Sequence, residues 1–101
     1  MRGAQQRDIL QVEGVGPLVL VCSKNFFNAS GMSVVCPLLE GTIPGPLHIP
    51  VETEKGQTRF VHCEKLKLLD LSQRGWKKKD RVPLFQMMNI TDAIQGIFDY
   101  I

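Results

Sequence analysis

The stretch RFVHCEKLKLLDLSQRG, residues 59 to 75, alternates apolar with polar or charged side chains over most of its length. Such alternation is typical of half-buried strands, and we predict strands over Thr58–His62 and Leu66–Leu71. Residues two apart on a strand point to the same face, so an extended backbone would project His62 and Glu64 together. Two interpretations remain open: an ordinary half-buried hairpin, or a strand that presents an acid and a base to a substrate.

The segments on either side of this stretch predict a mainly β protein with a C-terminal helix. Apolar runs without alternation indicate central strands, Gly and Pro clusters indicate turns, and apolar residues three and four apart after Pro83 indicate an amphipathic helix. The predicted strands add up to five or six, mostly antiparallel, with a short helical turn over Lys24–Asn28. The other predicted strands are Asp8–Val12, Leu18–Cys22, Ser33–Leu38 and His48–Thr53, with a hairpin turn over Glu54–Gln57.

Size, charge and cysteine usage restrict the class of protein. A chain of 101 residues with 44% hydrophobic side chains is long enough for one core, so residues 1–101 are predicted to form a single domain. Cys22, Cys36 and Cys63 lie in apolar runs and leave an odd count, which is typical of reduced, buried cysteines. Neither a membrane-spanning run nor the apolar segment of a signal peptide is present, so we expect a cytoplasmic protein with no membrane partner.

Several strings resemble the MazF/PemK/Kid family of bacterial toxin ribonucleases. They are RDIL from Arg7, PLVLV from Pro17, the NFFN and SGMSVVCPL strings that follow, FVHCEKLKLLDLSQRG from Phe60 and KKDRVP from Lys78. The most specific of them is the turn Asp70–Gly75, because it follows the His-Cys-Glu string at a fixed distance. The resemblance covers nearly the whole chain.

The resemblance implies a small SH3-like antiparallel barrel that forms a homodimer. It further implies a toxin of a toxin-antitoxin system, an endoribonuclease (mRNA interferase) that cleaves single-stranded RNA without a metal or other cofactor. A cognate antitoxin would silence it by placing its tail in the RNA groove. CcdB-like toxins share the fold but poison DNA gyrase through the end of the terminal helix, and this chain also ends in an apolar and aromatic helix.

The resemblance places the chemistry on His62, Glu64 and Arg74. In the family, the 2'-hydroxyl attacks the adjacent phosphate, which requires a base for the hydroxyl proton and an acid for the departing 5'-oxygen. Glu64 is the candidate base, His62 the candidate acid, and Arg74 the candidate for stabilising the phosphorane charge, with Arg59 as second choice. The competing interpretation is a surface pair of His62 with Glu64 and an Arg74 that anchors a turn.

A second set of residues is predicted to bind RNA. The run from Arg74 to Arg81 carries five basic groups against one acid. Trp76 with Lys77, Lys78 and Lys79 combines a stacking surface with phosphate-binding cations, although such a run is also typical of a solvated loop. Asp8, Thr42 and Arg59 complete the predicted set. His48 has no metal-ligating partner nearby in sequence, so no metal site is predicted.

Two departures from the family pattern bear on activity. The long loop between the first two strands is reduced to Glu13–Gly16, with Gly16 where the family has Arg, and Leu39 replaces a Thr or Ser. Two alternatives therefore stay open besides the nuclease. One is a gyrase poison acting through Ile97, Phe98, Tyr100 and Ile101, and the other is a degenerate member that binds RNA or antitoxin without cleaving.

Overall fold

The computed structural model describes residues 3–40 and 43–98 of the chain. Seven strands, two α-helices and one 3-10 turn follow one another along these residues. In chain order they are β1 (Asp8–Val12), β2 (Val19–Val21), α1 (Asn25–Asn28), β3 (Met32–Leu39), β4 (His48–Glu52), β5 (Thr58–His62), the 3-10 turn Cys63–Lys65, β6 (Lys67–Asp70), β7 (Trp76–Arg81) and α2 (Leu84–Phe98).

The strands pair in the order β4-β5-β3-β2-β1-β7, with β6 also paired to β3, and every pairing is antiparallel. The predicted fold class, mainly β with a C-terminal helix, is confirmed. The strand beyond the predicted six is β7, whose basic residues favoured a loop interpretation. Pairing with β1 makes this run extended, and its lysine side chains remain exposed to solvent.

The central strands are buried on both faces, as the apolar run at Leu18–Cys22 predicts. Leu20 and Cys22 belong to a core shared with α2, whereas Val19 and Val21 belong to a second core on the opposite side of the sheet. Successive strand residues point to opposite faces, so one continuous apolar run supplies both cores.

The β4–β5 hairpin brings the two histidines of the chain opposite each other. Its turn contains Gly56 at φ +82°, a conformation that glycine adopts without steric penalty, and the predicted turn over Glu54–Gln57 is confirmed. The two strands pair from this turn to the open end of the hairpin, where His48 lies opposite His62. The hairpin therefore fixes the relative positions of the two imidazoles.

The sheet curls so that its two ends approach each other at the β4–β5 turn. The backbone N–H of Glu54 donates to the carbonyl of Arg81 at the end of β7, at 2.9 Å. Among the described residues, no strand ladder continues this contact between β4 and β7, so the pairing of a closed barrel is not seen there.

Helix α2 buries only part of its apolar surface. Met87 and Ile90 are fully enclosed in the core. Leu84, Met88, Ile97 and Phe98 belong to the same predicted apolar stripe but are between 39% and 68% exposed. The apolar stripe is therefore wider than the surface by which α2 contacts the sheet. Neither described helix is long and apolar enough to cross a lipid bilayer.

Candidate active site

The open end of the β4–β5 hairpin holds a cluster of two imidazoles and one carboxylate, which we call the His-Glu cluster: His48, His62 and Glu64. His48 begins β4, His62 ends β5, and Glu64 lies in the 3-10 turn that follows. The 3-10 turn is held in part by the backbone N–H of Cys63, which donates to the carbonyl of Leu47 at 2.8 Å. Each member of the cluster is therefore positioned by backbone pairing.

Both imidazoles approach the same carboxylate oxygen. His48 Nε2 lies 2.9 Å from Glu64 Oε1, and His62 Nδ1 lies 3.6 Å from that oxygen. The first distance is a hydrogen bond, whereas the second is a close electrostatic contact. The two rings stack with their centroids 4.1 Å apart and their planes 20° apart. Glu64 thus orients His48 directly and leaves its other lone pairs for a further partner.

The three side chains differ in their access to solvent. The side chains of His48 and Glu64 are each 34% exposed, whereas that of His62 is only 7% exposed. Burial lowers the pKa of His62, the charges of His48 and Lys65 lower it further, and the Glu64 carboxylate opposes them. Burial and the neighbouring positive charges therefore favour the neutral form of His62, which lies enclosed behind the two groups that a ligand can reach.

The predicted proximity of His62 and Glu64 is found, but by a different route. The chain leaves the strand at His62 and turns through the 3-10 segment, so the extended backbone predicted at Glu64 is wrong. The turn still carries the carboxylate to within 3.6 Å of the imidazole. His48, which sequence spacing left without a partner, is the member that was missed. The sequence did carry a signal for this contact. His48 and His62 lie the same number of residues from Lys55, in the predicted hairpin turn, so the two strands of the hairpin would pair them.

Arg74 lies far from the His-Glu cluster within one chain. Strand β6 ends at Asp70 opposite Met32, whereas β5 meets the other end of β3 at Leu38. The six steps along the strand from Met32 to Leu38 span roughly 20 Å. Arg74 instead follows β6 in the turn before β7, where its guanidinium lies 3.4 Å from the carbonyl of Glu13. The structure does not bring this predicted charge stabiliser to the two predicted acid–base groups.

Arg59 and Lys79 face a different cleft. They line a cavity of about 330 Å³ between the β4–β5 hairpin and strands β1 and β7, together with Gln11, Lys55 and Gln57. Arg59 also pairs with the exposed carboxylate of Glu40. Residues alternate along β5, so Arg59 points away from the face that carries Phe60 and His62. The second-choice arginine therefore also faces away from the cluster.

Asp8 and Lys78, both predicted to contact RNA, lie against each other. Asp8 is 4% exposed, its Oδ1 lies 3.4 Å from Lys78 Nζ and 3.3 Å from Arg81 Nε, and its Oδ2 accepts from the backbone N–H of Gln5 at 2.9 Å. A carboxylate enclosed in this way orders the chain before β1. Asp8 as an RNA contact stays a prediction, although its carboxylate offers little surface to a ligand.

The remaining predicted RNA contacts lie near the β6–β7 turn or outside the described residues. Trp76 is half-buried against the second core, and with the exposed Lys77 it lines a cavity of about 520 Å³ that also includes Gln11 and Glu13. Thr42 falls outside the described residues. The short predicted loop at Glu13–Gly16 is seen as the connection between β1 and β2.

The family model for the "PemK-like, MazF-like toxin of type II toxin-antitoxin system" matches residues 11–98. That span includes all seven strands except the first residues of β1, and both helices. The chain belongs to this toxin family. The matched residues include the whole His-Glu cluster, so the cluster lies within the family domain.

Solved structures show the same fold at low sequence identity. A MazE-MazF complex from Deinococcus radiodurans superposes with a TM-score of 0.84 at 15% identity, covering 98% of each chain. An endoribonuclease from a mycobacterial species gives 0.83 at 16% identity, covering 97% of this chain and 93% of the other. A mycobacterial endoribonuclease in complex with its cognate antitoxin gives 0.77 at 19% identity, covering 94% and 95%. A search among curated protein sequences gives no match.

Proposed function

We propose that this MazF-like toxin is an endoribonuclease that cleaves single-stranded RNA without a metal, by attack of a 2'-hydroxyl on the adjacent phosphate. The observation that supports it most is the 2.9 Å contact between His48 and Glu64, both of which are accessible to a substrate. Similar solved structures include proteins described as endoribonucleases. A carboxylate and an imidazole side by side supply the base and the acid that the reaction needs.

In this proposal Glu64 takes the proton of the 2'-hydroxyl and His48 protonates the departing 5'-oxygen. His62, the acid predicted from sequence, is enclosed and its pKa is lowered, so it is better suited to positioning the other two by stacking and electrostatic contact. A cation is also needed where negative charge develops on the phosphate. Lys65 is exposed, follows Glu64, and is close enough to affect His62, so it takes the role predicted for Arg74.

Phe60 gives this face of the hairpin a surface for a base. It lies two residues before His62 on β5, opposite Pro50, so its ring is on the same face as both imidazoles. The step between alternate strand residues is roughly 7 Å, close to the spacing of nucleotides in an extended strand, and aromatic rings stack bases without regard to sequence. A nucleotide bound on Phe60 would place the neighbouring phosphate near Glu64.

The test is RNA cleavage in the presence of a chelator. The purified protein should produce fragments ending in a cyclic phosphate. Glu64→Gln and His48→Ala should each lower the rate by roughly 10²- to 10⁴-fold, the range of general acid–base catalysis. Glu54→Gln, at an exposed carboxylate in the β4–β5 turn, is the matched control and should cleave at the normal rate. Cleavage at a normal rate by both Glu64→Gln and His48→Ala would reject the assignment.

Partners and assembly follow the same family. We propose a homodimer, as the family resemblance implies, that is silenced by a cognate antitoxin; solved structures of similar toxins include complexes with an antitoxin. The exposed apolar side chains of α2, including Phe85 at 67% and Met88 at 60%, provide surface for one of these contacts. Size-exclusion chromatography coupled to light scattering tests the dimer, and a mass corresponding to one chain would reject it.

A gyrase poison is the second candidate, and the exposed end of α2 favours it. Ile97 and Phe98 are 39% and 68% exposed, while Tyr100 and Ile101 fall outside the described residues. Inhibition of gyrase supercoiling without RNA cleavage would support this candidate over the nuclease. Binding of RNA or antitoxin with neither activity would instead indicate the degenerate member, for which the short Glu13–Gly16 loop argues.

A further inference from the structure

We propose that the His-Glu cluster is a binding site for a zinc-class divalent cation, and that the cation occupies it in competition with RNA. The binding claim stands on the geometry of His48, His62 and Glu64 alone. The competition claim rests on the proposed nuclease function, because the cation would bind the base and the acid of that reaction.

The donor set suits zinc. Two imidazoles and one carboxylate are the protein ligands of one common type of catalytic zinc site, which leaves a fourth position open for water or substrate. The mixture of nitrogen and oxygen donors also suits Ni²⁺ and Co²⁺, whereas Mg²⁺ and Ca²⁺ prefer oxygen donors alone. The ligand chemistry therefore points to zinc and its neighbours in the first transition row.

Two of the three donor separations are close to those that a tetrahedral ion requires. Zinc bonds of 2.0–2.2 Å place neighbouring donor atoms roughly 3.4 Å apart. The two imidazole nitrogens lie 2.9 Å and 3.6 Å from the Glu64 oxygen, and all three donor atoms lie within 4.8 Å of one another. Binding therefore requires adjustments of side chains and no change in the backbone.

The ring stack identifies which side chain must move. A metal ion lies in the plane of the imidazole whose nitrogen lone pair it accepts, and two planes 20° apart with centroids separated by 4.1 Å do not share such a point. His62 is enclosed and held at the end of β5, whereas the side chain of His48 is 34% exposed. His48 therefore turns toward the ion on binding, which breaks the stack and its hydrogen bond to Glu64.

Metal uptake tests the site directly, without reference to activity. The probes are Zn²⁺, measured by equilibrium dialysis, and Co²⁺, whose visible absorption reports a tetrahedral environment of nitrogen and oxygen donors. The full chain should take up one ion. His48→Asn and Glu64→Gln should weaken uptake about tenfold or more, since even loss of an outer-shell partner weakens metal sites by about 10- to 100-fold. The matched control Glu54→Gln should bind like the original chain.

Each result decides the binding claim. Equal uptake by all four proteins would place the ion elsewhere, for example at the cysteines, and would overturn the proposal. No saturable uptake by the original chain would overturn it as well. His48 and Glu64 are partly exposed, so circular dichroism of the variants should match that of the original chain.

A second arm separates this inference from the proposed function. Zn²⁺ added to the chelator-free cleavage reaction should abolish RNA cleavage by the original chain, and chelator should restore it, with RNA alone as the control for hydrolysis by zinc. Normal cleavage by the zinc-loaded protein would overturn the competition claim. If the protein cleaves no RNA under either condition, the nuclease proposal fails, and zinc uptake still decides the binding claim.

Discussion

The carboxylate of Asp80 connects the β4–β5 turn to β7, and Asp80→Asn tests how much this connection stabilises the protein. Asp80 is 8% exposed, and its Oδ1 accepts from the backbone N–H of Lys55 at 3.1 Å and of Arg81 at 2.7 Å. Thr53 adds a side-chain hydrogen bond. The connection holds the closed end of the hairpin whose open end carries the His-Glu cluster.

The expected loss of unfolding free energy follows from the two backbone N–H groups that donate to Asp80. A hydrogen bond to a charged group contributes about 1.5–3 kcal/mol, against about 0.5–1.5 kcal/mol between neutral groups, so removing the charge loses about 1 kcal/mol per bond. An asparagine amide oxygen can still accept from both donors. We therefore expect Asp80→Asn to lower the free energy of unfolding by about 2 kcal/mol at neutral pH. Asp80→Ala, which leaves both donors without an acceptor, should lower it further.

The difference in the free energy of unfolding between the original chain and Asp80→Asn should also depend on pH. Burial alone would raise the pKa of Asp80, but the hydrogen bonds from Thr53, Arg81 and Lys55 outweigh it and lower the pKa below its usual value. A carboxylate whose pKa is lowered on folding contributes stability that is complete above its unfolded pKa of about 3.9 and is lost as the pH falls through the folded pKa. The original chain and Asp80→Asn should therefore converge in stability in strong acid.

Urea denaturation between neutral and acidic pH measures both effects, with Asp92→Asn on the exposed face of α2 as the matched control. The control should differ little from the original chain at any pH. A gap between the original chain and Asp80→Asn that does not narrow on acidification would refute the charge argument. A variant as stable as the control at neutral pH would refute the role of the connection itself.

Three further predictions concern the cores and one turn. Ile90→Ala should lower the free energy of unfolding by about 2–5 kcal/mol in urea titrations, because Ile90 is fully buried between α2 and the sheet; a loss below 1 kcal/mol would mean that α2 packs loosely. Burial raises the pKa of the Cys63 thiol to about 12, with the charges of Cys36 and Glu64 adding to the effect, so iodoacetamide should label it only after unfolding; rapid labelling of the folded chain at Cys63, located by mass spectrometry, would contradict this. Gly56→Ala should lower the thermal midpoint, with a penalty of roughly 1 kcal/mol or more, because φ is +82° there; an unchanged midpoint would show that the turn adopts another conformation.

Local pattern was sufficient for most of the secondary structure. The apolar runs at Leu18–Cys22 and Ser33–Leu38 and the spacing after Pro83 predict β2, β3 and α2 because burial on both faces or on one helical face leaves a direct trace in the order of residues. Strand β7 left no such trace. Its side chains are mostly charged, its three lysines are exposed, and it is extended because of its pairing with β1.

The candidate site depended on contacts between distant parts of the chain. The sequence by itself determined that His62 and Glu64 are close, since only Cys63 lies between them whatever the backbone does. Only the tertiary structure placed His48 against them, enclosed His62, and separated Arg74 by most of the length of β3. The physical reason is that local periodicity determines which side of a strand a residue faces, whereas strand register and sheet order determine which ends of different strands meet.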